Sequence, residues 1–166
     1  MKRNESVIGI VFDGPQERVL LIHRRDVSIW ALPGGGIDAG EPPEQAVLRE
    51  IEEETTLKAH IVRKLALLTP INRLTRATHL FICQAEGEPH STEETRDARF
   101  FSLNALPSPL FHIHEAWIQM ALTNPEGLIE RPLTEVTYWK LFKYFFKHPL
   151  QVIRTLLSRF GFPINK

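Results

Sequence analysis

Between residues 32 and 57 the chain reads L-P-G-G-G-I-D-A-G-E-P-P-E-Q-A-V-L-R-E-I-E-E-E-T-T-L, and no other stretch constrains it as much. Three consecutive glycines and a fourth at Gly40 predict tight backbone turns ahead of a helix. Pro42 and Pro43 suit the first turn of that helix, where a missing N–H costs nothing and φ is already set. Ala46, Val47, Leu48 and Ile51 supply its inward side. Glu50, Glu53 and Glu54 fall at i, i+3 and i+4, so their carboxylates share one face within roughly 5–6 Å. They also sit in the last turns, where the helix dipole disfavours anions by ~0.3–1 kcal/mol each. Arg49 is the only basic residue in the helix. A divalent cation would offset the repulsion, and hard oxygen donors grouped in this way suit Mg²⁺ or Mn²⁺. A bare run of glutamates reads more simply as a solvated helix face. The glycine turn ahead of the helix and Glu41 just before its start weigh against that simpler reading.

The stretch resembles the Nudix box: a glycine, five residues, Glu, seven residues, Arg-Glu, an aliphatic, any residue, Glu-Glu, any residue, Gly, an aliphatic. Gly35, Glu41, Arg49-Glu50, Ile51, Glu53-Glu54 and Leu57 fill those places. Thr56 stands where the family has glycine. That glycine ends the helix in a left-handed turn, which a β-branched residue adopts at greater cost. The departure touches no carboxylate.

With 166 residues and 43% apolar content the chain is long enough for one domain with a real core. Twenty basic residues balance twenty acidic ones, so net charge gives no push toward nucleic acid. The one cysteine, Cys83, lies in an apolar run and reads as a buried thiol; with no second cysteine there is no disulfide within the chain, which fits a reducing compartment. The start reads as a strand and turn rather than a signal peptide. No run reaches about eighteen apolar residues. A cytoplasmic location is expected.

Residues 7–12 and 18–22 read as an antiparallel hairpin around Asp13-Gly14-Pro15-Gln16, buried on both faces. Residues 30–32 make a short strand, residues 61–68 and 78–86 another pair, and residues 98–103 one more. Residues 112–122 are helical by the spacing of Ile113, Trp117, Met120 and Ala121. Strands flanking two helices make a mixed α/β sandwich. The expected class is α/β, a Nudix-like α/β/α sandwich with a mixed sheet over residues 1–124, followed by a C-terminal helical extension over 125–166.

From residue 124 onward seven basic residues (Arg131, Lys140, Lys143, Lys147, Arg154, Arg159, Lys166) stand against three acidic ones (Glu126, Glu130, Glu135). Tyr138, Trp139, Phe142, Phe145 and Phe146 crowd one expected helix. Val152, Ile153, Leu156, Leu157 and Phe160 stripe a second, beyond a break at His148-Pro149. The first reading of this tail is packing on the domain or on a second copy, as in a homodimer. The second is contact with a membrane surface. Nucleic-acid binding comes last.

A carboxylate cluster holding Mg²⁺ beside a glycine turn suits phosphoryl chemistry. Resemblance to Nudix enzymes implies hydrolysis of a nucleoside diphosphate linked to another moiety, by water attack on phosphorus. By that resemblance Glu50, Glu53 and Glu54 hold the metals, with the Gly34 carbonyl as a further ligand. Arg49 orients a carboxylate through a bidentate contact, and Glu41 and Gly35 support the loop–helix corner. The general base is Glu53, with Glu94 as second choice. Arg25 is the expected phosphate contact, with Arg24 on the opposite face. Trp30 is a candidate for base stacking, although core packing is the commoner role, and Arg73 and Arg76 lie on a loop able to close over ligand. There is no His-x-x-x-His and no Gly-x-Ser-x-Gly, which disfavours zinc and serine hydrolysis. The competing reading is a nucleotide-sensing binding module that does not cleave, with a tail that contacts a partner or membrane; Thr56 alone speaks for it. Nucleotide, nucleotide-sugar and ADP-ribose types of substrate stay open, because one fold serves many.

Overall fold

The computed structural model describes residues 5–14 and 16–139. Ten elements follow one another: β1 (Glu5–Phe12), β2 (Arg18–Arg24), β3 (Trp30–Ala31), β4 (Gly34–Gly36), α1 (Pro43–Thr55), β5 (Ala59–Thr69), β6 (Ala77–Ala85), β7 (Thr95–Ser102), α2 (His112–Thr123) and β8 (Ile129–Pro132). They form one mixed sheet in the order β3-β2-β1-β6-β5-β8, with β4 added on β1 and β7 on β2.

β1 shows why both faces are covered. Successive side chains of a strand point to opposite faces. Val7 and Val11 join the cluster that holds Ala46, Val47 and Ile51 of α1. Ile8, Ile10 and Phe12 join the one that holds Ile113, Trp117, Ile118 and Ala121 of α2. The continuous apolar run of this strand is therefore the signature of a layer between two helices, and the α/β/α sandwich is the result.

The hairpin forms, but it opens at once. β1 and β2 pair at Phe12 and Val19 and then diverge. The gap between them is filled by residues 30–36: Trp30 and Ala31 pair with His23 and Ile22 of β2, while the three glycines pair with Ser6, Val7 and Ile8 of β1. The glycines expected as a turn are thus a short strand, because β1 offers a free edge there. β8 pairs in parallel with β5 and carries the sheet past residue 124. The expected turn residue Pro15 lies outside the described residues. So does the helical tail, except for a helical start at Tyr138 and Trp139. Among the described residues no helix is long and apolar enough to cross a membrane. Cys83 is buried, and burial pushes its thiol up to about 12.

Candidate active site

α1 starts as its prolines require, with Pro42 at the cap and Pro43 in the first turn. At its other end Glu50 and Glu54 are buried, at 8% and 5% exposure, while the Glu53 side chain is half exposed. The spacing of the three carboxylates decides this, since only one side of the helix end meets the glycine strand.

Arg49 organises the corner. A guanidinium has five N–H donors, and all five are used. Nε and one Nη2 hydrogen clasp the Glu41 carboxylate at 2.8 and 3.0 Å. Nη1 donates to Glu50 at 3.0 Å and to Glu53 at 2.8 Å, and Nη2 reaches the Gly36 carbonyl at 3.1 Å. These carboxylates, Glu41 first, hold the guanidinium ionised. Glu41 in turn accepts the Asp38 N–H at 3.0 Å, so the loop before the helix is locked to the helix interior.

Glu54 has no such partner. The one hydrogen bond to its carboxylate among the described residues comes from the Gly34 N–H at 2.8 Å. Gly34, whose carbonyl is the expected further metal ligand, thus meets Glu54 through its N–H. Burial pushes Glu54 up to about 8, more than the Gly34 N–H and the Arg24 charge pull it down. Glu50 is raised for the same reason, against the opposing pull of Arg49. Burial thus disfavours the ionised form of both carboxyls, although Arg49 donates to one and the Arg24 charge acts on the other. The donor set is therefore of the kind a hard divalent ion takes. In the arrangement described, no three His, Cys, Asp or Glu side chains converge on one point among the described residues, because Glu53 is turned to Arg49.

The glycines make room for this. A Cβ on Gly34, whose φ is +150°, would lie 2.2 Å from the Val7 carbonyl oxygen, and one on Gly35 would lie 2.5 Å from the Glu50 carboxylate. Gly34 lets the strand close on β1, and Gly35 lets the carboxylate of α1 lie against it. The approach they permit is thus to the protein's own groups.

The exit of the helix is left-handed although threonine stands there. Thr56 has φ 65° and ψ 0°, and its N–H donates to the Glu52 carbonyl at 2.8 Å. The bare carbonyls at the helix end are taken up by residues 90–95. The Thr95 hydroxyl donates to the Glu54 carbonyl at 2.8 Å, and the His90 N–H to the Thr55 carbonyl at 2.9 Å. Thr95 is fully buried, and its Oγ1 also accepts the Thr92 N–H at 3.2 Å. This clamp holds Glu94 next to the helix end, where its charge acts on Glu50 and Glu54.

Arg24, expected on the opposite face, lies on the carboxylate side. Arg24 is gripped by Asp26 at 2.8 and 2.9 Å and feels the charges of Glu54 and Glu94. It shares parity with Leu20, which packs against α1, so alternation along β2 brings it to the carboxylate face. Parity counted from Leu20 is the signal that would have found it. Arg25 reaches the Thr92 carbonyl at 2.9 Å and so braces the loop that carries Glu94. Trp30 packs partly buried against the α2-side core, with His23 at 5.1 Å and Phe101 at 4.7 Å between ring centroids. Arg73 and Arg76 are exposed on the loop joining β5 to β6.

His114 was not singled out by sequence. The backbone crosses from β3 to β4 at Leu32, whose buried N–H has no strand partner to meet. His114 Nδ1, on α2, accepts it at 2.8 Å. Burial drives this imidazole down to about 3, so it stays neutral. It stacks on Trp117 at 4.9 Å.

Comparison with known proteins gives a consistent result. A family model described as NUDIX domain matches residues 2–121. An ADP-ribose pyrophosphatase of Methanocaldococcus jannaschii is 36% identical over 121 residues, which is 69% of this chain and 70% of that protein. A putative 8-oxo-dGTP diphosphatase of Bacillus subtilis is 33% identical over 97 residues, 58% of this chain and 64% of that one. The crystal structure of an ADP-ribose pyrophosphatase from Streptococcus suis matches with a TM-score of 0.62 and 26% identity, covering 79% of this chain and 98% of that chain.

Proposed function

Because the chain belongs to the Nudix family, whose members hydrolyse phosphoric anhydride bonds, we propose that it is a divalent-metal-dependent pyrophosphohydrolase cleaving a nucleoside diphosphate joined to a second moiety. The observation that carries this is the buried pair Glu50 and Glu54 at the end of α1, both raised by burial in spite of Arg49 and Arg24. Glu50, Glu54 and a re-oriented Glu53 are the side chains that would hold Mg²⁺ or Mn²⁺. A bound divalent ion neutralises diphosphate oxygens and lowers the pKa of water.

The remaining steps fall to the chain's own groups. Arg49 holds Glu41 and Glu50 in place through its hydrogen bonds. Arg24, beside Glu54 and Glu94, is the cation best placed to meet a substrate phosphate. Glu94 is exposed on a braced loop and Glu53 is half exposed; either carboxylate oxygen can take the proton of the attacking water. The names of two relatives favour an ADP-ribose type of substrate. Thr56, the one feature in favour of a sensing module, already adopts the left-handed turn its position needs, so that reading loses its support.

The test is a panel of nucleoside diphosphate derivatives with Mg²⁺, read as phosphate released after phosphatase treatment, beside an EDTA control and Glu53→Gln. Metal-dependent turnover that collapses in the variant is expected. Calorimetric binding without turnover anywhere on the panel would overturn the enzyme reading.

A further inference from the structure

Arg24 ends β2 at an irregularity. The pairing of β2 with β7 runs regularly from Arg18 opposite Ser102 to His23 opposite Asp97, then shifts between His23 and Arg24, so that Arg24 meets Thr95. A bulge of this kind bends a strand and re-aims a side chain. It brings Arg24 beside the end of α1, because Thr95 is the residue whose hydroxyl donates to the Glu54 carbonyl. The turn that follows is closed on itself. The Arg24 N–H donates to the Ile29 carbonyl at 3.1 Å, and the Val27 N–H to Asp26 Oδ1 at 2.9 Å. The Asp26 carboxylate is thereby pinned, and it grips Arg24 along one edge only: Nε donates to Oδ1 at 2.9 Å and Nη2 to Oδ2 at 2.8 Å. Of the five guanidinium N–H groups this leaves three, both on Nη1 and one on Nη2, without a hydrogen-bond partner among the described residues. They make up a second fork, the geometry in which a guanidinium takes a carboxylate or a phosphate.

We propose that Asp26 is a positioning residue, which holds the Nε–Nη2 edge of Arg24 so that the Nη1–Nη2 fork is presented to a phosphate of the substrate. This rests on the assignment of Arg24 as the phosphate contact. Among the described residues Asp26 alone hydrogen-bonds this guanidinium; Glu54 and Glu94 act on it through their charges. Asp26 therefore sets how its plane lies. An arginine side chain gives up rotamer freedom when it binds a ligand, and a clasp already formed in the free protein lowers that cost. In the opposite arrangement Asp26 would stand in the place of the phosphate and have to be displaced, which leaves the second fork without a role.

Calorimetric titration of the full chain with methylenediphosphonate and Mg²⁺ tests this without requiring turnover, since the P–C–P bridge is not hydrolysed. Wild type, Arg24→Gln, Asp26→Asn and the double variant complete a cycle. Asp26→Asn keeps a carbonyl oxygen for the Val27 N–H but turns an amide N–H₂ toward Nη2, which breaks the clasp. Arg24→Gln should raise Kd at least about tenfold, as loss of a charged hydrogen bond does. Asp26→Asn should raise it about fivefold, the most an exposed pair allows, and the double variant should bind as Arg24→Gln does. Both side chains are partly exposed, so urea midpoints should stay near wild type. A Kd raised by Arg24→Gln but left unchanged by Asp26→Asn overturns the proposal. So does a Kd lowered by Asp26→Asn, which would make the carboxylate a competitor of the phosphate, or a further rise in the double variant, which would place its effect outside Arg24. Binding by Arg24→Gln equal to wild type, or none by wild type, removes the phosphate contact at Arg24 and the proposal with it.

Discussion

The two helices cover opposite faces of one sheet and are built to different ends. α2 presents Ile113, Trp117, Ile118 and Ala121 to the larger apolar cluster, and its one buried titratable group, His114, is kept neutral and hydrogen-bonded. α1 buries Ala46, Val47 and Ile51 as well, but its last turns also bury two carboxyls that burial disfavours. Among the described residues the α2 face buries no ionised group, its one unpaired polar atom being Trp117 Nε1, whereas the buried carboxyls of the α1 face are only partly offset by Arg49 and Arg24. The difference separates residues kept for stability from residues kept at its expense.

Substitutions should divide along the same line. The largest effect expected is on activity: Glu54→Gln lowers kcat/KM on the order of a thousandfold, the size typical of a lost catalytic carboxyl, with little change in the urea midpoint measured without metal. A loss smaller than tenfold would break the comparison on the α1 side. Next is Trp117→Ala, which removes a buried ring and should cost about 3–5 kcal/mol in urea unfolding. Its folded fraction should keep its kcat.

The third is a pH effect. His114 holds its proton only below about 3 when folded, whereas an unfolded histidine does so below about 6.5. Between those values the unfolded chain binds the extra proton. Stability is therefore present above pH 6.5 and is lost on acidification, by up to about 1.4 kcal/mol per pH unit. Comparing urea midpoints from pH 7 to 4 in wild type and His114→Gln, whose side chain can still accept the Leu32 N–H, should show the steeper fall in wild type. The smallest effect is at the end of α1. Thr56→Gly relieves a β-branched residue at φ 65° and should raise stability by about 1 kcal/mol, leaving kcat within a few fold.

How far these features could be read in the sequence follows from how local they are. The spacing of Glu50, Glu53 and Glu54 on one helix and the tie of Arg49 and Glu41 to the loop–helix corner depend on one compact motif, whereas the left-handed turn kept by Thr56 was not expected of a β-branched residue. Strand periodicity likewise carried β1, β5 and β6. What escaped depends on distant partners. Gly34 to Gly36 become a strand because β1 and β2 diverge, which neither segment signals by itself. Thr95 closes the end of α1 from 41 residues away, and His114 meets Leu32 from 82 away. Arg24 was assigned to the far face because alternation was counted locally at Arg25 and not from the packed residue Leu20.

The central claim is that the end of α1 is incomplete without a divalent cation. Thermal unfolding of wild type and Glu54→Gln, each with EDTA and with Mg²⁺ or Mn²⁺, tests it most directly, because ligand binding to the native state raises Tm by mass action. The account predicts that wild type gains Tm with metal, and that Glu54→Gln, freed of a buried carboxyl, unfolds at or above the metal-free wild-type temperature and gains little. A wild type indifferent to metal, or a variant that gains as much as wild type, would contradict it.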